Sequence, residues 1–531
     1  MKLSVVSCLL SALPLLVLIA LLIWRKWPAS RAAPVTLALS LVLALTYFRC
    51  GLPLLAQEAL KGLWNAMAIL LVVFTAVLLY EISNAAGAFE ATQQGLQRLT
   101  QHELLLLLLL GYVFPSFLQG ITGFGVAVAV GAPLLVGIGV QPLWAVICVL
   151  LAHSWGGTFG TLGLAWLALT ENAPGEAHAA AALTAGLLIW IINLAGAVCL
   201  CWFYGKGRAL REGLPAALCI SLIHGGGQLL LAQYSDTLAC FLPALAAFIA
   251  VLLLCKTKRY RQPWRLDDSP IIRRVGEAAQ PQAGMHFGRA LAPYCFLAAV
   301  ALCCLLIKPF HALLSRVTVS LSFPAGETGL GYQTAAAECF SPFSPLMHPS
   351  FFLLLSCLFS CFVFRRTLSC SALRGAVRRT LKKTVPSAVS VVCFLLTSKV
   401  MGCSGQVELL AQSFVRLFGR AYPLVAPLIG LLGSFVTSSN MASNILFGRF
   451  QTTTAALLDL NSGILLGAQT AGGAAGNAIC PGNVVLGCTT AELPGGEGEV
   501  LRRVLPVTAV TALLCGATAF LLTHILPDSG A

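Results

Sequence analysis

The sequence predicts an all-α polytopic membrane protein, with about 12–14 transmembrane segments in two inverted-repeat halves that contain discontinuous or re-entrant helices. Of its 531 residues, 58% are hydrophobic and only 10% are charged, which is too little charge to cover the surface of a soluble protein of this length. Runs of about 20 apolar residues recur from end to end, and each is long enough to cross a hydrocarbon core about 30 Å thick. Both observations predict a helical protein that spans the bilayer many times.

Basic residues concentrate in three places between the apolar segments. Under the positive-inside rule these places face the cytoplasm, which puts the N-terminus on the non-cytoplasmic side. The formal charge of +14 therefore indicates which loops lie on the cytoplasmic side, beside anionic lipid. It does not indicate nucleic-acid binding. The three groups are Arg25, Lys26 and Arg31; then Lys256, Lys258, Arg259, Arg261, Arg265, Arg273, Arg274 and Arg289; then Arg365, Arg366, Arg374, Arg378, Arg379, Lys382 and Lys383.

The cysteines and the missing catalytic motifs exclude several classes of protein. Most of the 20 cysteines lie singly within apolar segments, where they behave as small hydrophobic residues. The pairs Cys199/Cys201 and Cys303/Cys304 lack the spacing of zinc ligands. We find no nucleophile elbow, no zinc-protease helix, no phosphate loop and no paired carboxylates in the apolar regions. The sequence therefore predicts no disulfide framework, no metal site, no cofactor and no enzymatic activity.

The two halves are separated by a basic loop. Residues 1–255 form the N-terminal transmembrane half, residues 256–288 the cytoplasmic loop, and residues 289–531 the C-terminal transmembrane half. Residues 4–23 are long enough to span and are followed by basic residues, so we interpret them as a retained first helix and not as a signal peptide. Residues 316–349 are rich in Pro, Gly and Ser, which predicts an irregular non-cytoplasmic loop or lid.

Four polar breaks interrupt the apolar segments, two in each half. They lie at residues 116–125, 153–160, 434–444 and 469–483. In a bilayer, non-helical backbone persists only where protein covers it or where it lines a cavity. Breaks in corresponding parts of two halves are where secondary transporters bind substrate. We therefore expect the four breaks to meet around one small-molecule site.

The polar breaks carry the residue types that an anion site needs. Helix N-termini present free amide groups with partial positive charge, and glycine lets the backbone approach a ligand closely. The alternative is that the glycines serve only close helix packing, as small residues do throughout membrane bundles. The candidate substrate-binding residues are Gln119, Thr122, Gly123, Phe124, Gly125, Ser154, Ser438, Ser439, Asn440, Asn444, Gly472, Gly473 and Asn477.

Two ionisable residues within apolar segments are further candidates. His153 stands beside a Gly-Gly pair and changes charge near neutral pH, so it is a candidate for proton coupling. Its alternative role is a hydrogen bond to a neighbouring helix. Lys399 is a candidate for attracting an anion, although its ammonium group could equally extend to the interface. His224, before three glycines, is interpreted as structural.

With these residues in view, the chain resembles the bacterial L-lactate permease family over nearly its full length. The resemblance implies a bacterial inner-membrane carrier for lactate and glycolate that works with protons. The motifs that carry it are Gly123-Phe-Gly125, Leu134-Leu-Val-Gly-Ile-Gly139 with Pro142-Leu143, Phe159-Gly-Thr-Leu-Gly163, Thr437 to Phe447, Gly472-Gly-Ala-Ala-Gly476 with Pro481, and Gly496-Glu-Gly-Glu-Val-Leu-Arg502.

The chain departs from the family pattern within the polar breaks. The family commonly has acidic residues where Gln119 and Asn440 stand and a lysine where Asn477 stands, and it commonly has Asn-Thr-Ala-Pro where this chain has His153-Ser-Trp-Gly156. It also has Ala-Pro in place of Val126-Ala127. If the acids carry the coupling proton in relatives, His153 is the candidate replacement here.

Several functions remain open from the sequence. The first is a proton-coupled carrier for a small monocarboxylate, held near the midplane of the bilayer and moved by alternating access. The second is a carrier for another small organic anion with different ion coupling, such as sodium. The third is a membrane sensor or assembly partner that no longer transports, and a membrane enzyme ranks last. The sequence does not define the oligomeric state.

Overall fold

Helices account for most of the chain, which confirms the all-α membrane class. The computed structural model describes residues 5–23, 25, 27–97, 99–122, 125–171, 177–273 and 285–525. In the first half the helices are α1 (Val5–Ile23), α2 (Ala29–Thr46), α3 (Leu52–Ala85), α4 (Ala88–Gln97), α5 (Glu103–Leu108), α6 (Phe114–Ile121), α7 (Val126–Val136), α8 (Pro142–Ser154), α9 (Gly160–Thr170), α10 (Ala177–Ser221), α11 (Gly227–Leu231) and α12 (Phe241–Leu254).

The second half continues the same pattern after the basic loop. Its helices are α13 (Phe287–Leu306), α14 (Lys308–Leu314), α15 (Pro349–Val363), α16 (Cys370–Cys403), α17 (Gln406–Phe418), α18 (Ala426–Thr437), α19 (Asn440–Leu458), α20 (Ser462–Gly476), α21 (Pro481–Thr490) and α22 (Glu497–Ile525).

Seven stretches of helix in the described residues are long and apolar enough to cross a membrane. Two further pairs of helices qualify only if each pair is one bent span, with bends of 50° after α8 and 97° before α18. Four shorter apolar helices of 10–17 residues are also present. Short apolar helices and sharp bends are the features expected of discontinuous membrane helices.

Helix α10 joins two predicted spans. The sequence predicts separate spans at about 179–203 and 214–233, whereas α10 runs through 45 residues. Non-helical backbone at Gly205 and Lys206 bends it between the two predicted spans. The sequence therefore predicted both apolar runs correctly, but the short basic stretch between them is a bend within one helix and not a loop.

The region predicted to be irregular, residues 316–349, contains two small antiparallel sheets. Strand β1 (Val319–Phe323) pairs with β4 (Ala337–Phe343), and β2 (Gly326–Glu327) pairs with β3 (Gln333–Thr334). Two strands are only two residues long and the longer pair has irregular register, so no alternation is visible in the sequence. We call residues 316–349 the β segment.

Glycines allow α18 and α20 to pack closely. A Cβ atom at Gly472 would lie 1.8 Å from the carbonyl oxygen of Pro427, and one at Gly430 would lie 1.9 Å from the carbonyl oxygen of Gln469. Both distances are far inside van der Waals contact, so neither position accepts a larger residue without movement of the backbone. Close packing of this kind is the usual role of small residues in membrane helices.

Candidate functional site

A cavity of about 590 Å³ lies where the four predicted breaks converge. Its exposed lining residues include Lys382, Lys383 and Pro386 of α16, so the cavity opens to the protein surface beside that part of α16. Polar groups line its interior from both halves of the chain. The lining residues from the breaks are Gln119, Gly125, His153, Gly157, Gly160, Thr161, Thr437, Ser438, Ser439, Asn440, Met441, Ala442, Asn477, Gly482 and Asn483.

The first break is shorter than predicted. The chain stays helical from 116 to Ile121, where α6 ends, and α7 starts at Val126 after Gly125. Gly125 has φ +75°, a left-handed conformation that glycine adopts without strain. Two predicted binding residues, Gly123 and Phe124, lie outside the described residues. The correction follows from Ser116, whose hydroxyl donates to the Tyr112 carbonyl within the helix instead of interrupting it.

The second break extends further than predicted. Helix α8 ends at Ser154, and a 3₁₀ turn covers residues 155–157. Thr161, Leu162 and Gly163 then all have positive φ, at 53°, 54° and 83°. Left-handed backbone costs roughly 1–2 kcal/mol at a residue that has a Cβ. Thr161 lines the cavity, and neither it nor Leu162 carries a sequence signal for this conformation.

The third break is confined to two residues. Helix α18 ends at Thr437, Ser438 has φ +58°, and α19 begins at Asn440, so residues 434–437 and 440–444 are helical. The hydroxyl of Ser439 accepts a hydrogen bond from the Ala442 amide at 3.3 Å and caps α19. The hydroxyl of Ser438 accepts one from the Gly482 amide at 3.2 Å, which ties this break to the fourth.

The fourth break begins later than predicted. Helix α20 continues to Gly476, which places Gly472 and Gly473 inside a helix. The interruption covers residues 477–480 before α21 starts at Pro481. The side-chain amide of Asn483 donates to the Asn477 carbonyl at 3.1 Å and closes the turn. Of the predicted interval 469–483, only residues from Asn477 onward line the cavity.

Asn440 connects the two halves at the wall of the cavity. Its side-chain nitrogen lies 3.2 Å from the carbonyl oxygens of both Gly157 and Thr470. Beside it, the hydroxyls of Thr158 and Thr470 are 2.9 Å apart. The second break therefore rests on helices α19 and α20 through buried polar contacts, which are costly to leave unpaired.

Three side chains that line the cavity hold polar atoms without a hydrogen-bond partner among the described residues. They are Gln119 Oε1, His153 Nδ1 and Asn440 Oδ1, and the three residues are 5%, 3% and 2% exposed. An unsatisfied buried polar group costs about 1–3 kcal/mol. All three atoms are themselves buried, and Asn440 Oδ1 lies against Gly473 of α20, so these side chains must reorient before the atoms can contact a polar ligand.

Five of the predicted binding residues lie outside the cavity. Thr122 donates to the Leu118 carbonyl at 2.8 Å, and Ser154 donates to the Leu151 carbonyl at 2.8 Å, so both hydroxyls serve their own helices. Asn444 is fully buried and donates to the Ala165 carbonyl at 2.9 Å. Gly472 and Gly473 pack against neighbouring helices, and a Cβ atom at Gly473 would lie 1.9 Å from Asn440 Oδ1. For these two glycines the packing alternative is the one that the structure supports.

Lys399 lies far from the cavity mouth. It follows Lys383 by sixteen residues on α16, which corresponds to about 24 Å along the helix axis. Its ammonium group is 5.0 Å from the ring centre of Phe340 in the β segment. Lys399 is not among the residues that line the cavity, although Val391 and Phe394 of the same helix are.

A group of charged and polar side chains lies where the β segment contacts α3 and the residue that follows α9. Glu171 accepts a hydrogen bond from Asn65 at 2.5 Å and another from Ser341 at 2.8 Å, and Lys61 pairs with Glu58 at 2.6 Å. We call these five residues the polar seal. Sequence reasoning missed it, although Glu58 and Lys61 are ionisable residues three apart within a helix that is mainly apolar.

Comparisons with known proteins place the chain in a family. A family model described as L-lactate permease matches residues 7–526. The L-lactate permease of Escherichia coli strain K12 is 27% identical over 98% of this chain and 97% of its own length. The glycolate permease GlcA of the same strain is 25% identical over 98% and 96%.

A solved structure also aligns with most of the chain. The Alcanivorax borkumensis YdaH transporter aligns over 87% of each chain, with a TM-score of 0.47 and 14% identity. The assignment rests on the family model and the permease relatives, which confirm the predicted resemblance and the expectation of a permease instead of an enzyme. The chain is a multi-pass membrane protein that belongs to the L-lactate permease family.

Proposed function

We propose that the chain is a secondary active transporter that moves a small monocarboxylate, such as L-lactate or glycolate, across the bacterial plasma membrane. The observation that carries this proposal is the single cavity lined by all four helix breaks. The printed names of the relatives, L-lactate permease and glycolate permease, supply the substrate class.

The anion would lie among the broken ends of the helices. The Ser439 cap leaves the first turn of α19 directed at the cavity, where amide groups stabilise negative charge without a buried cation. Hydroxyl and amide groups complete the proposed site. Its residues are Gln119, Gly125, Thr161, Ser438, Ser439, Asn440 and Asn477.

His153 is the proposed site of proton coupling. It lies at the end of α8, lines the cavity, and has a ring nitrogen without a partner among the described residues. In the described part of the chain the cavity is lined by no carboxylate that could carry a proton instead. The alternative is a different coupling ion such as sodium, for which the side-chain oxygens of the breaks would be the ligands.

During the transport cycle the cavity would be closed first at one end and then at the other. The cavity opens beside Lys382 and Lys383, whereas the polar seal and the β segment cover the end near Lys399. With the basic loops in the cytoplasm, as the positive-inside rule requires, this state is open to the inside and the N-terminus is outside. We propose that residues 1–255 and 289–531 are the two inverted halves and that they rearrange around the cavity.

Uptake of labelled L-lactate into proteoliposomes under an inward proton gradient tests the proposal. We expect accumulation that needs the gradient in the wild type and that His153→Ala abolishes. Uptake that persists in the variant would keep the carrier and remove His153 from coupling. Binding without accumulation would instead indicate a sensor, and no lactate-dependent flux at all would overturn the proposed substrate.

A further inference from the structure

The charged side chains that line the cavity are confined to its mouth. Among the described residues, the cavity wall contains no aspartate, glutamate or arginine, and its two lysines are Lys382 and Lys383 of α16. The interior offers amides, hydroxyls and one imidazole. Apart from a protonated His153, selection for negative charge by a full positive charge in this state therefore falls to the mouth.

A buried carboxylate compensates one of these two lysines. Glu81 is 1% exposed, and its two oxygens pair with Lys383 Nζ at 2.6 Å and with Arg379 Nε at 2.6 Å. Lys383 also lies 5.1 Å from the ring centre of Tyr80, which lines the cavity. One carboxylate thus holds two cations in fixed positions on the α16 side of the mouth.

Lys382 is not compensated in this way. Its side chain is exposed, and in the described part of the chain no carboxylate lies within ion-pair distance of it. Three cations, Arg379, Lys382 and Lys383, thus accompany one carboxylate, and this part of the mouth has a net positive charge. Because charges at a narrow opening concentrate the field within it, this excess raises the local concentration of anions.

We propose that Lys382 is the anion-selecting residue of this cavity, and that Glu81 sets the strength of selection by neutralising part of the charge of Lys383 and Arg379. The inference rests on the proposed transport function and adds to it the residue that discriminates by charge. It also moves the anion-attracting role from Lys399, which packs against Phe340 of the β segment, to a residue 17 positions earlier on α16.

The reactivity of a cysteine placed inside the mouth tests this without requiring transport. Ser390 lines the cavity two turns after Lys382, and no native cysteine lines it among the described residues. In a Ser390→Cys background, the measurement is the ratio of modification rates by a sulfonate-bearing and a trimethylammonium-bearing methanethiosulfonate. The ratio reports the electrostatic potential at the mouth and not the substrate of the protein.

Three variants and a matched control define the outcome. Lys382→Gln is expected to lower the anion-to-cation rate ratio by about three- to tenfold, Lys382→Arg to preserve it, and Glu81→Gln to raise it. Arg378→Gln removes the same charge one turn away at an exposed position outside the cavity, and is expected to lower the ratio less than Lys382→Gln does. The effects should shrink between about 10 and 150 mM salt, as the Debye length falls from about 30 to 8 Å.

The result separates the inference from the function on which it rests. A ratio that is unchanged by Lys382→Gln, or that falls equally in Arg378→Gln, would overturn the role of Lys382 even if L-lactate is transported. If the ratio responds as expected while L-lactate exchange is absent, anion selection stands and the proposed substrate fails. Wild-type protein without the Ser390→Cys substitution is treated with the same reagents and gives the background reaction of the native cysteines.

Discussion

The side-chain nitrogen of Asn440 lies 3.2 Å from the carbonyl oxygen of Gly157, so the start of α19 in the second half supports the second break in the first half. The contact joins residues 283 apart in the sequence and lies at the cavity wall. A hydrogen bond across the halves at this depth couples the shape of the cavity to the packing of α19 and α20.

Replacing Asn440 should impair both stability and transport. Asn440→Ala leaves the Gly157 carbonyl without this donor, at a cost of about 1–3 kcal/mol for the unpaired group. Asn440→Asp should be more harmful, because a carboxylate would face the carbonyl oxygens of Gly157 and Thr470. Thermal unfolding of the purified protein and exchange of labelled L-lactate measure the two effects. Full activity and stability in Asn440→Asp would contradict the assigned contact.

Thr161 should tolerate glycine better than an ordinary helical residue does. Its φ of 53° is strained for threonine, so Thr161→Gly is expected to be neutral or to stabilise the protein by about 1 kcal/mol. Ala168→Gly, inside the same helix, is the control and should destabilise by about 1 kcal/mol. Thermal unfolding of both variants gives the comparison. Equal destabilisation by the two substitutions would show that Thr161 is not held in a left-handed conformation.

Glu171 should control how firmly the β segment closes the bundle. Glu171→Gln removes the negative charge that binds Asn65 and Ser341, so the seal should weaken. We expect faster amide hydrogen exchange in residues 337–343 by about threefold or more, which corresponds to a loss of at least about 0.7 kcal/mol. Glu327→Gln, in β2 and at an exposed position, is the control. Exchange that is unchanged in Glu171→Gln, or equally raised in the control, would remove Glu171 from the seal.

The attachment of the β segment should depend on pH through His348. This residue precedes α15, shares a hydrogen bond of 2.8 Å with Ser350, and packs against Phe343. Burial lowers the pKa of His348 to about 4 from its usual 6.5. The detached segment therefore binds a proton as pH falls through about 6.5, while the packed segment stays neutral until about 4. The attachment is at full strength above about pH 7 and weakens progressively between pH 6.5 and 4.

Hydrogen exchange checks this dependence once it is corrected for the intrinsic effect of pH on exchange rates. Protection of residues 337–343 should fall between pH 7 and pH 5 in the wild type, and His348→Gln should remove that difference. An equal loss of protection in the variant would assign the pH dependence to another group.

The parts of the fold that follow from local pattern were predictable. Apolar runs of sufficient length identified the spans, and Gly125 marked a position where left-handed backbone is free of strain. The four breaks do meet at one cavity, as their placement in the two halves suggested. The predicted boundaries of the first, third and fourth breaks were too wide, because hydroxyls such as those of Ser116 and Thr122 bond within their own helix and leave it intact.

Other parts depend on contacts between distant residues. The glycines at 472 and 473 fit either ligand approach or helix packing, and only the positions of α18 and α19 decide between them. The bond between Glu171 and Ser341 joins residues 170 apart, and neither residue stands out in a sequence window. Thr161 and Leu162 adopt positive φ against their own preference, so surrounding structure imposes it.

Protection of a cysteine at position 439 by L-lactate tests most directly whether the anion occupies this cavity. In Ser439→Cys, saturating L-lactate should slow modification by a neutral thiol reagent several-fold, while the exposed native Cys370 should react at an unchanged rate. Protection at 439 alone is the result that the proposed site predicts. An unchanged rate at 439, in protein that still exchanges L-lactate, would place the substrate somewhere else.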